Sequence, residues 1–304
     1  MRSGLWTSTL AYGPPNAGKT ALGVSAFWDW KTRTLLGDGK YIGFGREDNP
    51  ALRIPEECRQ LSSGASLRLT APDLRSDKFI TDFGKIVDAI MAAARRGQYL
   101  DALVIDGMSE FDLLFEAVYD NKNAGADKWD KWDALMSEMF AMMQRLDPIE
   151  LRCDIIMTAR VMERKKATVS KSGRSTRGDP SYINFDYYPS LRGSFRLHFP
   201  HYFNLVLYLE TDMRLHAGLN RKVPAHILNM VRTGDYFVKN QWEYEWLLAG
   251  YPSYLLNTSF PAMKALLEQA AAREVQAADN LIQFGVNTAI EEEKEEKVAN
   301  DSEP

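Results

Sequence analysis

Apolar positions from Leu5 to Tyr12 form a short run that stops at Gly13, and small and apolar residues recur from Lys19 to Trp30. The pattern predicts a strand, a glycine-rich turn and a helix, in that order. Tyr41 to Phe44 reads as a second strand, ending in the polar turn Gly45, Arg46, Glu47, Asp48, Asn49, Pro50, and a further short strand is expected near Leu67 to Leu69. Helical periodicity then spans Asp77 to Arg96, with Gly97 placed where a C-terminal cap belongs. Ala102, Leu103, Val104 and Ile105 form an unbroken apolar run closed by Asp106, the signature of a strand buried on both faces of a parallel sheet.

Helices are predicted over Phe111 to Asn121 and Trp129 to Leu146, followed by a buried strand at Asp154 to Thr158. Strands that alternate with helices in this way imply βαβ units and a mostly parallel central sheet flanked by helices. Phe203 to Glu210 and Val223 to Val231 extend that sheet, and Ser259 to Gln283 spaces Ala and Leu for a helix with one apolar face. Trp28, Trp30, Trp129 and Trp132 are read as packing residues on helix faces.

The aperiodic stretches are as informative. Residues 163–190 are rich in Ser, Gly, Lys and Arg and too long for an idle connection, so a functional or disordered loop is expected there. The organisation read from the chain is a core over residues 1–250, a C-terminal helical segment over 251–286 and a disordered acidic tail over 287–304. With 45% apolar and 26% charged residues in 304, the chain is of ordinary globular composition, and no run approaches the roughly 20 apolar residues that a membrane-spanning helix needs. The N-terminus has no signal-peptide pattern, so a cytoplasmic protein without membrane contact is expected.

Charge sharpens the picture. The formal net charge is −4, from 37 basic and 41 acidic residues, yet nine basic residues face three acidic ones between Arg160 and Arg196. The last fourteen residues, from Glu291, carry seven acids and two lysines. Segregation of this kind points to an anionic partner for the loop, while the tail reads as a solubilising extension, with competition for the basic loop or recruitment of a basic partner as alternatives. Lys165, Lys166, Lys171 and Arg174, followed by Tyr182, Phe185, Tyr187 and Tyr188, combine phosphate neutralisation with aromatic faces for base stacking, as single-stranded DNA requires. Cys58 and Cys153 have no CxxC partner and are read as structural, and His198, His201, His216 and His226 lack a metal-ligand spacing.

The chemistry lies in Gly13, Pro14, Pro15, Asn16, Ala17, Gly18, Lys19 and Thr20, which fit G-x-x-x-x-G-K-[ST] at every required position. In this Walker A pattern turned backbone amides and the helix N-terminus cradle phosphates, Lys19 reaches the β and γ phosphates, and Thr20 holds Mg²⁺. Asp106, ending a buried strand, supplies the second half of a Mg²⁺ site. Two carboxylates are available to activate water, Glu47 and Glu110. Glu47 is preferred on the expectation that its strand neighbours the P-loop strand, while Glu110 also reads as a helix N-terminal acid.

Taken together, Gly13 to Thr20, Glu47, Leu103 to Asp106, Ile155 to Arg160 and Ala225 to Gly234 resemble the RecA-like branch of P-loop ATPases, which includes strand-exchange recombinases and DnaB-type ring helicases. Within that branch the chain looks like the phage-encoded RecA-like ATPases of single-strand annealing and recombination. It implies a RecA-like core that binds ATP and Mg²⁺, Glu47 as catalytic base, and Thr158 or Arg160 as the sensor of the γ-phosphate. It also implies a homo-oligomer in which Arg232 enters a neighbour's site, although the lysine that commonly precedes this arginine is absent. A DnaB-like helicase or packaging motor is the alternative from the same chemistry, and a nucleotide-binding virion or scaffold protein without turnover is the alternative from another class.

Overall fold

In the computed structural model, which describes residues 5–44, 54, 55, 58, 78–122, 125, 127–163, 187–191, 198–216, 220–232 and 236–272, strand β1 (Ser8–Gly13) lies inside the main sheet with all six residues buried. Its neighbours are β6 (Asp154–Glu163) and β8 (Leu205–His216), both parallel to it. Beyond β6 follow β5 (Ala102–Asp106) and then β4 (Gly39–Gly43), again parallel. On the other side β9 (Arg221–Asn229) runs antiparallel to β8, and β11 (Tyr254–Leu256) antiparallel to β9. The mostly parallel α/β sheet is therefore the one the alternation of elements predicts.

Helices cover both faces. Helices α2 (Lys78–Arg95), α3 (Met108–Lys122) and α4 (Lys128–Gln144) send Phe83, Val87, Phe111, Phe115 and Met139 against Leu10, Leu103, Ile105 and Ile155. Helix α1 (Lys19–Val24) and the helix at 260–272 cover the opposite face, where Leu22, Val24, Phe260 and Met263 meet Ala11, Val104 and Ile156. Alternate residues of β5 thus enter different cores, which is why its sequence is an unbroken apolar run. Gly97 takes the left-handed conformation after α2, at φ 81, and caps it as expected.

Three sequence expectations change. Helix α1 stops at Val24 and not at Trp30: the Ser25 hydroxyl donates back to the Leu22 carbonyl at 2.6 Å, Phe27 turns into the core, and Trp28 enters a small hairpin of β2 (Trp28–Asp29) with β3 (Thr34–Leu35). Strand β6 runs on to Glu163 because β7 (Tyr187–Pro189) pairs with its last residues. Strand β4 neighbours β5, not β1, so two strands separate it from the P-loop strand. The strand expected near Leu67 to Leu69 and the acidic tail lie outside the described residues.

The short elements α5 (Pro148–Leu151), β10 (Lys239–Asn240), α6 (Glu243–Leu248) and β11 had no legible periodicity. No described helix is long and apolar enough to cross a membrane.

One feature of the sheet bears on the site. Strand β1 pairs with β8 only as far as Tyr12 with Tyr208, whereas β8 and β9 remain paired to His216 with Arg221. The two strands therefore continue as an arm past the tip of β1, beside the loop that follows it.

Candidate active site

The Gly13–Thr20 loop joins the tip of β1 to α1. Asn16 at φ 63 and Gly18 at φ 89 take left-handed backbone, and the Ala17 amide donates to the Pro14 carbonyl at 3.3 Å, so the loop doubles back over itself. Lys19 lies along this curve, its Nζ donating to the carbonyls of Gly13 at 3.1 Å and Pro14 at 2.8 Å. Gly13 has no room for a side chain: a Cβ there would stand 2.1 Å from the Leu209 carbonyl oxygen. Since α1 has only six residues, the amides of the loop rather than the length of the helix make the cradle.

Three strand tips meet beside this loop. Register sets Asp106 of β5 next to Gly43 of β4 on one side and, continuing the pairing of Ile105 with Met157, next to Thr158 of β6 on the other. Asp106 is 3% exposed and Thr158 1%. Thr20 Oγ1 donates to Asp106 Oδ2 at 2.7 Å, and the Thr158 hydroxyl donates to Asp106 Oδ1. Thr158 also accepts from the Gly107 amide at 3.0 Å. Thr20, Asp106 and Thr158 are thus brought together around one carboxylate.

Tyr41 completes the cluster and was missed. Its hydroxyl donates to Asp106 Oδ2 at 2.8 Å. Residues two apart share a face of a strand, and Gly43 leaves that face bare. The Tyr41 ring passes over it, so closely that a Cβ at Gly43 would sit 3.0 Å from Cε1. The signal was present as Tyr-x-Gly before a strand tip, but only the pairing of Gly43 with Asp106 gives it meaning.

The remaining residues fall elsewhere. The Arg160 guanidinium pairs with Glu110, and the Arg160 amide donates to Ser109 Oγ at 2.9 Å. Of the two residues proposed as γ-phosphate sensor, Thr158 is the one that touches Asp106. Glu47 lies outside the described residues, three positions after Phe44, whose amide donates to the Asp106 carbonyl at 2.9 Å.

Arg232 follows β9, which leaves its pairing with β8 at Asn229, level with Tyr12, and heads away from the tip of β1. Its amide donates to Glu243 Oε1 at 3.2 Å.

Lys165, Lys166, Lys171, Arg174, Tyr182 and Phe185 lie outside the described residues. Tyr188 is buried, and Tyr187 stacks on Tyr208 and packs on Tyr236, so these two aromatic faces are occupied by the chain itself and correct the expectation that they stack on bases. Tyr12, immediately before the loop, packs on Tyr208 and donates to the Tyr187 carbonyl at 3.2 Å; burial pushes its hydroxyl far above the usual tyrosine range and keeps it protonated.

Residues 7–242 match the family model described as an AAA domain. No curated protein matches the chain.

Proposed function

The chain belongs to the AAA domain family, of P-loop ATPase type, and from that premise we propose a Mg²⁺-dependent ATPase of the RecA-like branch, encoded by a phage and acting on single-stranded DNA in annealing or recombination. The observation that carries this reading is the 2.7 Å contact of Thr20 with Asp106. A phosphate-gripping loop and a strand-end carboxylate serve one nucleotide only if they meet.

Mg²⁺ suits the donor set, since the Thr20 hydroxyl and the Asp106 carboxylate are hard oxygen ligands. Bound there, it would neutralise charge on the β and γ phosphates. The backbone N–H groups of the loop from Asn16 onward hold the triphosphate, since Pro14 and Pro15 carry none, and Lys19 exchanges its two carbonyl partners for the β and γ oxygens. Glu47 takes a proton from the attacking water, whose oxygen bonds to the γ phosphorus as the bond to the β–γ bridging oxygen breaks, leaving ADP and phosphate. Thr158 registers the terminal phosphate, and its bond to the Gly107 amide passes the signal to the start of α3.

Arg232 enters a neighbour's site, as the resemblance to the RecA-like branch implies. A contact of that kind is head-to-tail and builds rings or filaments. The basic loop at 163–190 binds single-stranded DNA when ATP is present and releases it after hydrolysis.

A DNA-stimulated ATPase measurement tests the reading. Wild-type protein should hydrolyse ATP faster with single-stranded DNA, and Lys19→Ala should abolish turnover. Nucleotide bound without hydrolysis, with and without DNA, would overturn it in favour of a static virion or scaffold role.

A further inference from the structure

Thr20, Asp106 and Thr158 mark the terminal-phosphate end of the site, and all three lie on the β5–β6 side of β1. A triphosphate whose far end is fixed there crosses the tip of β1, so its nucleoside leaves over the other neighbour, β8. What stands on that side is the β8–β9 arm. Thr211 Oγ1 donates to the Asn16 carbonyl at 3.3 Å, fastening the arm to the loop.

The cross-strand partner of Thr211 is His226. Its ring lies against the last glycine of the loop: a Cβ on Gly18 would be 3.2 Å from both Cγ and Nδ1. The backbone beneath the ring is held from two directions, the His226 amide donating to Asn257 Oδ1 and the Asn257 amide to the His226 carbonyl, each at 2.8 Å. Despite these anchors the residue is exposed.

We propose that His226 is a nucleoside-contacting residue, its ring forming the face on which the purine base of the bound nucleotide stacks. The inference rests on the nucleotide-site reading above. A rigidly mounted aromatic ring flush with the phosphate loop, on the side opposite the terminal phosphate, is where a base attached to that triphosphate arrives. Stacking needs a π-face rather than a hydrogen-bonding edge, so Phe should substitute for His.

Equilibrium binding of ATP and of inorganic tripolyphosphate, each with Mg²⁺, to the full chain separates the possibilities. His226→Ala should weaken ATP about tenfold, within the range an aromatic stack on a base is worth, and leave tripolyphosphate within about twofold of wild type. His226→Phe should keep ATP near the wild-type value. Equal weakening of both ligands in His226→Ala would overturn the proposal by showing that the ring only props up the loop, as would an unchanged ATP affinity. If wild-type protein bound neither ligand, the nucleotide-site reading itself would fall and take this inference with it.

Discussion

Thr20 and Asp106, 86 positions apart in the chain, are joined by a 2.7 Å hydrogen bond, and Tyr41 donates to the same carboxylate oxygen at 2.8 Å. With Thr158 on the other oxygen, one buried carboxylate ties α1 to the tips of three adjacent strands.

Removing the Tyr41 donor should therefore loosen the site without opening a cavity. Tyr41→Phe is expected to cost about 1 kcal/mol, the net worth of one hydrogen bond, read as a lower urea midpoint with an unchanged slope. Gly43→Ala should act in the same direction, because the added methyl must displace the Tyr41 ring. Stability unchanged in both variants would show that the contact contributes nothing.

Glu47→Gln should bind ATP and fail to hydrolyse it, since the amide cannot accept the proton. Glu110→Gln should retain turnover, because Glu110 is engaged by Arg160. Single-turnover measurements on both variants assign the base, and loss of hydrolysis in Glu110→Gln alone would transfer the role.

The parallel order of the core was legible because each strand feeding it is an apolar run and each helix an amphipathic stretch, as in Ala102–Asp106 and Lys78–Arg95. The phosphate loop was legible because its glycines and lysine occupy fixed offsets. Tyr41 was not, since its contact with Asp106 depends on which strand lies beside β5, and register is a property of pairing rather than of local sequence. For the same reason the expected neighbour of β4 was β1, whereas it pairs with β5. Helix α1 was overextended because Trp28 and Trp30 fit a helical period, whereas Ser25 and the inward turn of Phe27 end it.

Lys264 ties the helix at 260–272 to the start of β6 through a 2.5 Å bond to Asp154 Oδ2, with both side chains largely buried, and Asp154 Oδ1 accepts from the Thr7 amide and hydroxyl. Lys264→Met should cost about 3–5 kcal/mol, as breaking a buried pair does, because Asp154 is left uncompensated. Adding Asp154→Asn should recover part of the loss, checked by a double-mutant cycle in urea.

Next to this pair, burial and then the Asp154 charge push the Cys153 thiol from an ordinary value of about 9 up to about 12. The protonated thiol is the form the fold favours, so its contribution is complete below pH 9 and is lost as pH rises from 9 toward 12. At pH 8 Cys153 should react with an alkylating reagent far more slowly in folded than in unfolded protein, followed by mass spectrometry. Equal rates would contradict the burial.

Neutralising Lys165, Lys166, Lys171 and Arg174 together should flatten the dependence of single-stranded DNA affinity on salt. Each phosphate contact removed lowers the logarithmic slope by about 0.7. A titration that keeps its wild-type slope would remove the DNA-binding role from this loop.

The closeness of Gly13 to the Leu209 carbonyl means that the first glycine of the loop is required by the neighbouring strand before any ligand arrives. Substituting it would unzip the seam between β1 and β8, and the ensuing inactivity would masquerade as a failure to grip phosphate. In this chain a damaged position 13 diagnoses architecture, and the question of nucleotide has to be put to Lys19.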